Sequence, residues 1–435
     1  MKLKELKQII LKGGDKKTMK TKIKQEKGIT LIALVVTIVV LLILAGVSLN
    51  ALFGNSGIIE KAKEAQNKMD KATENDQKQI GELTNWLDNQ VNGTTGSDDN
   101  QTKLPKISTL VGTVVDKNTK AEDAYGNKIT IPKGFKILKH GTAAGSATYT
   151  YSGDNIPAVQ DGIVIENKTD GNQFVWVPVG TIKNKDNTTS TITLGRYSDF
   201  TAKNGVYTPA QVASVENCTQ EVTIDTYFKE LSTFREGNSA TDSTAQNATA
   251  RDLKTFIETS LANGGYYIAR FEASGTASKI TSKYNQTVFG DITQPNAAKA
   301  AREMYGEVKE NNELVYASDL VNSYAWDTTI IFIQTYSTET DASSYASKNK
   351  STSFSKTGIN NDKYCNIWDM SGNTCEWTTE YSTVFGNGMV ELHGCRGGFY
   401  ISDADEDELY TSNRVDEFQC APPRIRGLRP LLYVK

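Results

Sequence analysis

Histidine is scarce in these 435 residues: His140 and His393 are the only two. That scarcity argues against a histidine-rich metal centre and against a histidine-based catalytic triad. Cysteine is sparse too, with Cys218, Cys365, Cys375, Cys395 and Cys420, and four of the five fall in the last 71 residues. An odd number leaves at least one thiol free or joined to another chain. No repeat of fixed period is present, and no broad basic patch of the kind that binds nucleic acid. The formal net charge is only -3, but it is unevenly spread. Residues 1–27 hold ten lysines against Glu5, Asp15 and Glu26, a net of +7, so the remainder is net -10. Hydrophobic runs long enough to cross a membrane are absent everywhere except one place, so the chain is not a polytopic membrane protein.

That one place is Ile29–Phe53, an apolar run broken only by Thr30, Thr37, Ser48, Asn50 and small residues. A spanning helix needs roughly 20 apolar residues. The lysines before it predict a cytoplasmic N-terminal side and an outward-facing C-terminal bulk. A secretory signal has a shorter apolar core with a small-residue cleavage site after it, whereas the candidate site here precedes the run, at Gly28. Beyond it, Ile80, Leu83, Leu87 and Val91 recur at helical spacing. Residues 92–103 have the Gly/Ser/Asp/Asn composition of a linker.

Basic leader, glycine and the aliphatic start "ITLIALVV" together resemble the type IV pilin N-terminus. The resemblance implies cleavage by a prepilin peptidase between Gly28 and Ile29, methylation of the new N-terminus, and packing of the helix with other pilin subunits. The family carries glutamate at the fifth mature position, and here that position is Ala33, as in some minor or tip-capping members. Met19 opens a leader of ordinary length, so the expected start is open between Met1 and Met19. The plainer reading of the run is a simple membrane anchor.

From Leu104 onward short β-type runs alternate with Gly, Asn and Asp, and "NQFVWVPVG" (172–180) is the strongest strand. Residues 181–250 read as polar loops or insertions. "ARDLKTFIETSLANGG" predicts a helix ending at a glycine cap, and "SDLVNSYAWDTTIIFIQTYS" a helix capped by Ser318. "YYIARFEAS" reads as a strand.

Near the C-terminus "NIWDMSGNTCEWTTEY" (366–381), "CRGGFY" (395–400) and "RIRGLRPLLYV" (424–434) follow in order. Trp368 and Trp377 are expected to anchor an irregular loop into the core, and Gly397 and Gly398 to adopt backbone geometry closed to other residues. Arg396, Arg426 and Arg429 can tie carbonyls or carboxylates, and structural pairing is favoured over ligand contact.

These stretches resemble the formylglycine-generating-enzyme (sulfatase-modifying-factor) branch of the C-type lectin fold, over roughly residues 165–435. The implied architecture is α+β. A leader (1–28) precedes a long pilin-like helix (29–91) and a linker (92–103). A β-rich spacer (104–164) then leads to a C-type-lectin-like domain (165–435). Where active relatives place two copper-binding cysteines after the "RGG" arginine, this chain has Ser402 and Asp407. Copper(I) requires soft thiolates, so no copper and no enzyme activity are expected. Disulfides among Cys365, Cys375, Cys395 and Cys420 are expected, with the pairing open. The resemblance also implies calcium (Ca2+), held by the side chains of Asp369 and Glu376 and the carbonyls of Gly372 and Thr374.

Between "RGG" and "RGLRP" lie Phe399, Tyr400, Ser402, Asp403, Asp405, Tyr410, Ser412, Asn413, Asp416 and Glu417. Tyrosine with Ser, Asn and Asp is a contact-forming mixture shared with antibody loops. The arrangement resembles the variable proteins of diversity-generating retroelements, which place a ligand-binding interval at the end of this fold. The expected function is a surface-displayed minor pilin or pilin-like ligand-binding protein, an adhesin or receptor type, with an extracellular protein or glycan as ligand. Alternatives are a membrane-tethered formylglycine-generating-type oxidase and a purely structural pilus subunit.

Overall fold

In a computed structural model of the chain, the described residues are 103–138, 158–200, 206–216, 218, 222–224, 228–240, 244–337, 353–360, 363–386, 388–398, 411–412, 414–417 and 426–435. The expected leader, the Gly28–Ile29 processing site and the long helix lie outside them. Among the described residues no helix is long and apolar enough to cross a membrane. Gln101–Lys435 forms one compact unit.

That unit is mostly β-sheet with few helices. Its first sheet uses β1 (Phe135–Ile137), β2 (Val164–Asn167) and β3 (Gln173–Pro178) from the N-terminal side. The second begins with the short pair β4 (Val222–Ile224) and β5 (Phe228–Glu230). After α1 (Leu253–Asn263) come β6 (Gly265–Ala269), α2 (Gln294–Glu303), β7 (Glu307–Glu310), β8 (Glu313–Leu320) and α3 (Ser323–Tyr336). The chain closes with β9 (Cys375–Gly386), β10 (Gly388–Arg396), β11 (Arg414–Glu417), β12 (Arg426–Leu428) and β13 (Pro430–Val434). The first sheet runs β7-β8-β13-β6-β3-β2-β1, antiparallel throughout. The second runs β4-β5-β9-β10-β11, with β12 parallel to β9.

Local chemistry explains the helix boundaries. The Asp252 side chain accepts the Thr255 N–H at 2.9 Å to start α1, and Gly264 ends it at φ 75°, a left-handed conformation that costs a residue without Cβ little. α3 does not begin where the sequence suggests. Ser318 lies in β8, and Asn322 caps the helix by accepting the Ala325 N–H at 2.9 Å. The pairing of β8 with β13 along Tyr316–Leu320 outweighs the serine's capping preference.

The expected spacer is not a separate body. Its boundary at 164/165 falls inside β2, and Ile107, Ile129, Ile131, Phe135 and Ile137 are buried in the same apolar core as Trp176, Tyr267, Leu431 and Leu432. Phe135 meets Phe174, Tyr305 and Tyr316 edge-on, and Asn118 Nδ2 donates to the Val315 and Lys435 carbonyls at 2.7 and 2.9 Å. Residues far apart in sequence thus share one core, a relationship no local pattern announces. α3 packs on β3 of one sheet and β9 of the other, and Ser323–Gln334 is buried throughout. Its one acid, Asp327, is therefore buried as well.

Candidate ligand-binding site

The interval expected to face ligand follows β10 in sequence and runs into β11. Of its residues, Phe399, Tyr400, Ser402, Asp403, Asp405, Tyr410 and Asn413 lie outside the described residues. Ser412 is half-buried, and Asp416 and Glu417 sit in β11 opposite Gly394 and His393. What the structure does describe is the stem. β10 and β11 pair antiparallel, with Cys395 opposite Val415 and Arg396 opposite Arg414. Gly397 and Gly398 follow at φ 83° and 70°. A Cβ on Gly397 would stand 3.0 Å from the Met370 carbonyl and 3.3 Å from the Trp326 ring, so glycine is needed for space as well as for conformation.

Two arginines directly opposite repel, and here buried acids resolve the conflict. Asp327 Oδ1 accepts from Arg396 Nη2 at 2.7 Å and Oδ2 from Arg414 Nη2 at 2.8 Å. Glu380 of β9 takes Arg396 Nη1 at 3.0 Å and Arg414 Nε at 3.1 Å, with Arg196 Nη2 at 3.3 Å. Burial alone would raise the Glu380 carboxyl, but Arg414, Arg396 and Arg196 outweigh it and hold the group at about 2. Burial lowers the Arg396 guanidinium, helped by Arg414 and opposed by Asp327 and Glu380. Beside this cluster Glu230 accepts from Ser323 N, Ser323 Oγ and Thr379 Oγ1 at 3.0, 2.7 and 2.5 Å. Burial pushes the Glu230 carboxyl up while Arg196 pulls it down. Three acids and three arginines thus balance within the fold.

Arg196 and Glu230 come from the stretch that reads as polar loops, and Asp327 and Glu380 from segments whose apolar or aromatic residues dominate the eye. The available signal was the lone acid in "SYAWDTTIIFIQ": a charge in a wholly buried helix demands a partner.

The residues expected to hold calcium adjoin this stem, for Gly372 N–H donates to the Gly397 carbonyl at 2.6 Å. Asp369 and Asn373 adopt positive φ, 58° and 60°, which wraps the loop tightly. Asp369 Oδ2 accepts the Gly358 N–H at 2.7 Å. Arg429 Nη2 donates to the Asp369 carbonyl at 2.8 Å and lies 2.6 Å from Glu376 Oε1. That second approach is a close ion pair inside a fully buried site. Burial pushes the Glu376 carboxyl up to about 7 against the pull of Arg429, with Asp369 adding to the rise. Glu272, which the sequence did not single out, is the third carboxyl here. It accepts from Thr374 N at 2.9 Å and Oγ1 at 2.5 Å, and from the Asn373 amide. Burial, then Asp369 and Glu376, drive it well above the usual carboxylate range. Among the described residues no group of three or more His, Cys, Asp or Glu side chains is arranged to hold a metal ion. A set of two carboxylates and two carbonyls does not require such a group. Its oxygen-only donor set fits a hard cation.

The cysteines divide. Cys375 and Cys395 form a disulfide between β9 and β10, Cys218 and Cys365 are free thiols, and Cys420 lies outside the described residues. Trp377 is buried with its Nε1 donating to the Ile292 carbonyl at 2.7 Å, whereas Trp368 is only half-buried. Arg396, Arg426 and Arg429 are all buried, in structural pairings for Arg396 and Arg429 and over the Trp377 ring for Arg426.

No protein-family model matches the chain, and no curated protein does. Among solved structures it is similar to CarF, at 14% identity over 39% of this chain and 87% of that one, with a TM-score of 0.27. It is also similar to Treponema denticola variable protein 1, at 11% identity over 61% and 96%, with a TM-score of 0.25. A third is the Major Tropism Determinant I1 variant, at 12% identity over 77% and 100%, with a TM-score of 0.23. At these TM-scores nothing about ligand or function follows from the likeness.

Proposed function

We propose that this chain is a surface-displayed, pilin-like ligand-binding protein whose C-terminal head has a C-type-lectin-like fold and presents residues 399–417 to an extracellular protein or glycan. The observation that supports this most is the stem: an interval rich in Tyr, Ser, Asn and Asp is closed at its base by Arg396 opposite Arg414, both seated on buried acids. A rigid base with a contact-forming tip is the division of labour that recognition loops need. Recognition makes and breaks no bond. The apolar run after Gly28 serves as a membrane anchor that packs with other pilin subunits after cleavage by a prepilin peptidase. Calcium, held by Asp369, Glu376 and the Gly372 and Thr374 carbonyls, neutralises buried carboxylate charge beside the stem.

The test is a glycan and protein array probed with the full chain and with Y400A/Y410A. The reading expects a ligand that the wild type binds and the variant loses, at an unchanged melting temperature. Equal binding by both, or peptide oxidation by the copper-loaded chain, overturns it.

A further inference from the structure

Both ends of the 399–413 interval converge on two neighbouring residues of α3. Trp326 donates its indole Nε1–H to the Thr411 carbonyl at 3.0 Å, across 85 residues of sequence, and its ring packs against Gly397. Asp327 gives one carboxylate oxygen to Arg396 and the other to Arg414. Trp326 thus touches the exit and the return of the interval, and Asp327 does the same one residue later. The Arg396 guanidinium also lies over the Trp326 ring, 5.7 Å from its centre.

An ordinary hairpin closes through its ladder and its turn. Here the closing pair is two cations in register, which the ladder alone would hold apart. The stem closes because Asp327 and Glu380 stand between the guanidiniums, each accepting from both. Each arginine uses two separate nitrogens to reach two carboxylates, a fork that lysine, with one nitrogen, cannot reproduce. β11 contributes only four residues, and its described strand pairing is with β10 alone.

We infer that Trp326 and Asp327 are positioning residues for the ligand-binding interval: helix α3, rather than the β10–β11 ladder, fixes where both ends leave the fold. This rests on the reading of 399–417 as the ligand-binding segment, and it deepens that reading by naming what orients the segment. α3 also bridges the two sheets, so the interval is referenced to the whole head and not to one hairpin.

Hydrogen exchange read by mass spectrometry on the full chain tests this without any ligand, so its outcome is independent of the array. The variants are R414M, R414K and D327N/R414M. R414M alone leaves an under-compensated buried acid, so the charge-balanced double variant decides. The expected result is exchange faster by about tenfold or more in peptides covering 411–417 of the double variant, with peptides of β3 and β13 as protected as in wild type. R414K is expected to recover part of the lost protection. Unchanged protection at 411–417 in the double variant overturns the inference. Loss of protection there in step with β13 also overturns it, because the cluster would then be a general core ion pair.

Discussion

The Arg429 guanidinium stands 2.6 Å from Glu376 Oε1 in a fully buried site, yet burial still holds that carboxyl up at about 7. One guanidinium does not offset the burial, and a divalent cation would add the missing positive charge. Millimolar calcium is therefore expected to raise the melting temperature of the full chain, and chelation to lower it. Saturation a hundredfold above Kd corresponds to about 2.7 kcal/mol. The response should vanish in E376Q. A calcium-independent melting temperature in the wild type contradicts calcium binding at this loop.

Glu380 sets an acid limit. Its folded-state carboxyl is held at about 2, below the ordinary 4.5, by the three arginines around it. A depressed acid contributes stability that is fully present above about 4.5 and is lost as pH falls towards 2. The contribution is on the order of 3 kcal/mol. Equilibrium unfolding between pH 5 and pH 2 should show that decline, and E380Q should flatten it while costing stability at neutral pH. A stability profile in E380Q as steep as wild type contradicts this assignment.

The Cys375–Cys395 disulfide closes a loop of 20 residues between β9 and β10, just before Glu376 and Arg396. Its removal in C375A/C395A is expected to cost about 3 kcal/mol, chiefly by freeing the unfolded chain. Denaturant titration measures the cost, and peptide mapping of the unreduced protein should recover the two residues linked.

At the other end of the chain, mass spectrometry of the protein recovered from its native cell should find Ile29 as the first residue, carrying an N-methyl group. A mature chain that begins at Met1 or Met19 contradicts processing at Gly28.

Local signals in the sequence were dependable where local physics decides. The strand "FVWVPV", the helix that ends at Gly264, the left-handed Gly397–Gly398 pair and the buried Trp377 all follow from residue type and neighbours. The stem of the candidate site is half legible: Arg396 stands out in "RGG", while the rest of its buried cluster does not. Asp327, Glu380, Arg196 and Glu230 lie between 16 and 200 residues away from it and meet only after two sheets and α3 have packed. Glu272 stayed hidden for the same reason, since its contact with Thr374 spans 102 residues. The Ser318 cap failed because strand pairing with the C-terminal β13 competes for the same residues. Ile107, Ile129, Ile131, Phe135 and Ile137 of the expected spacer are buried in one core with residues as distant as Leu431 and Leu432, which no local pattern reveals.

On the proposed reading, residues 399–417 contact ligand while the fold beneath them stays unchanged. Hydrogen exchange of the full chain with and without its array-identified ligand tests this most directly. New protection confined to 399–417 and the adjoining stem, with none in β1–β3, is the expected result. Protection centred on the seven-stranded sheet, with 399–417 unaffected, would contradict it.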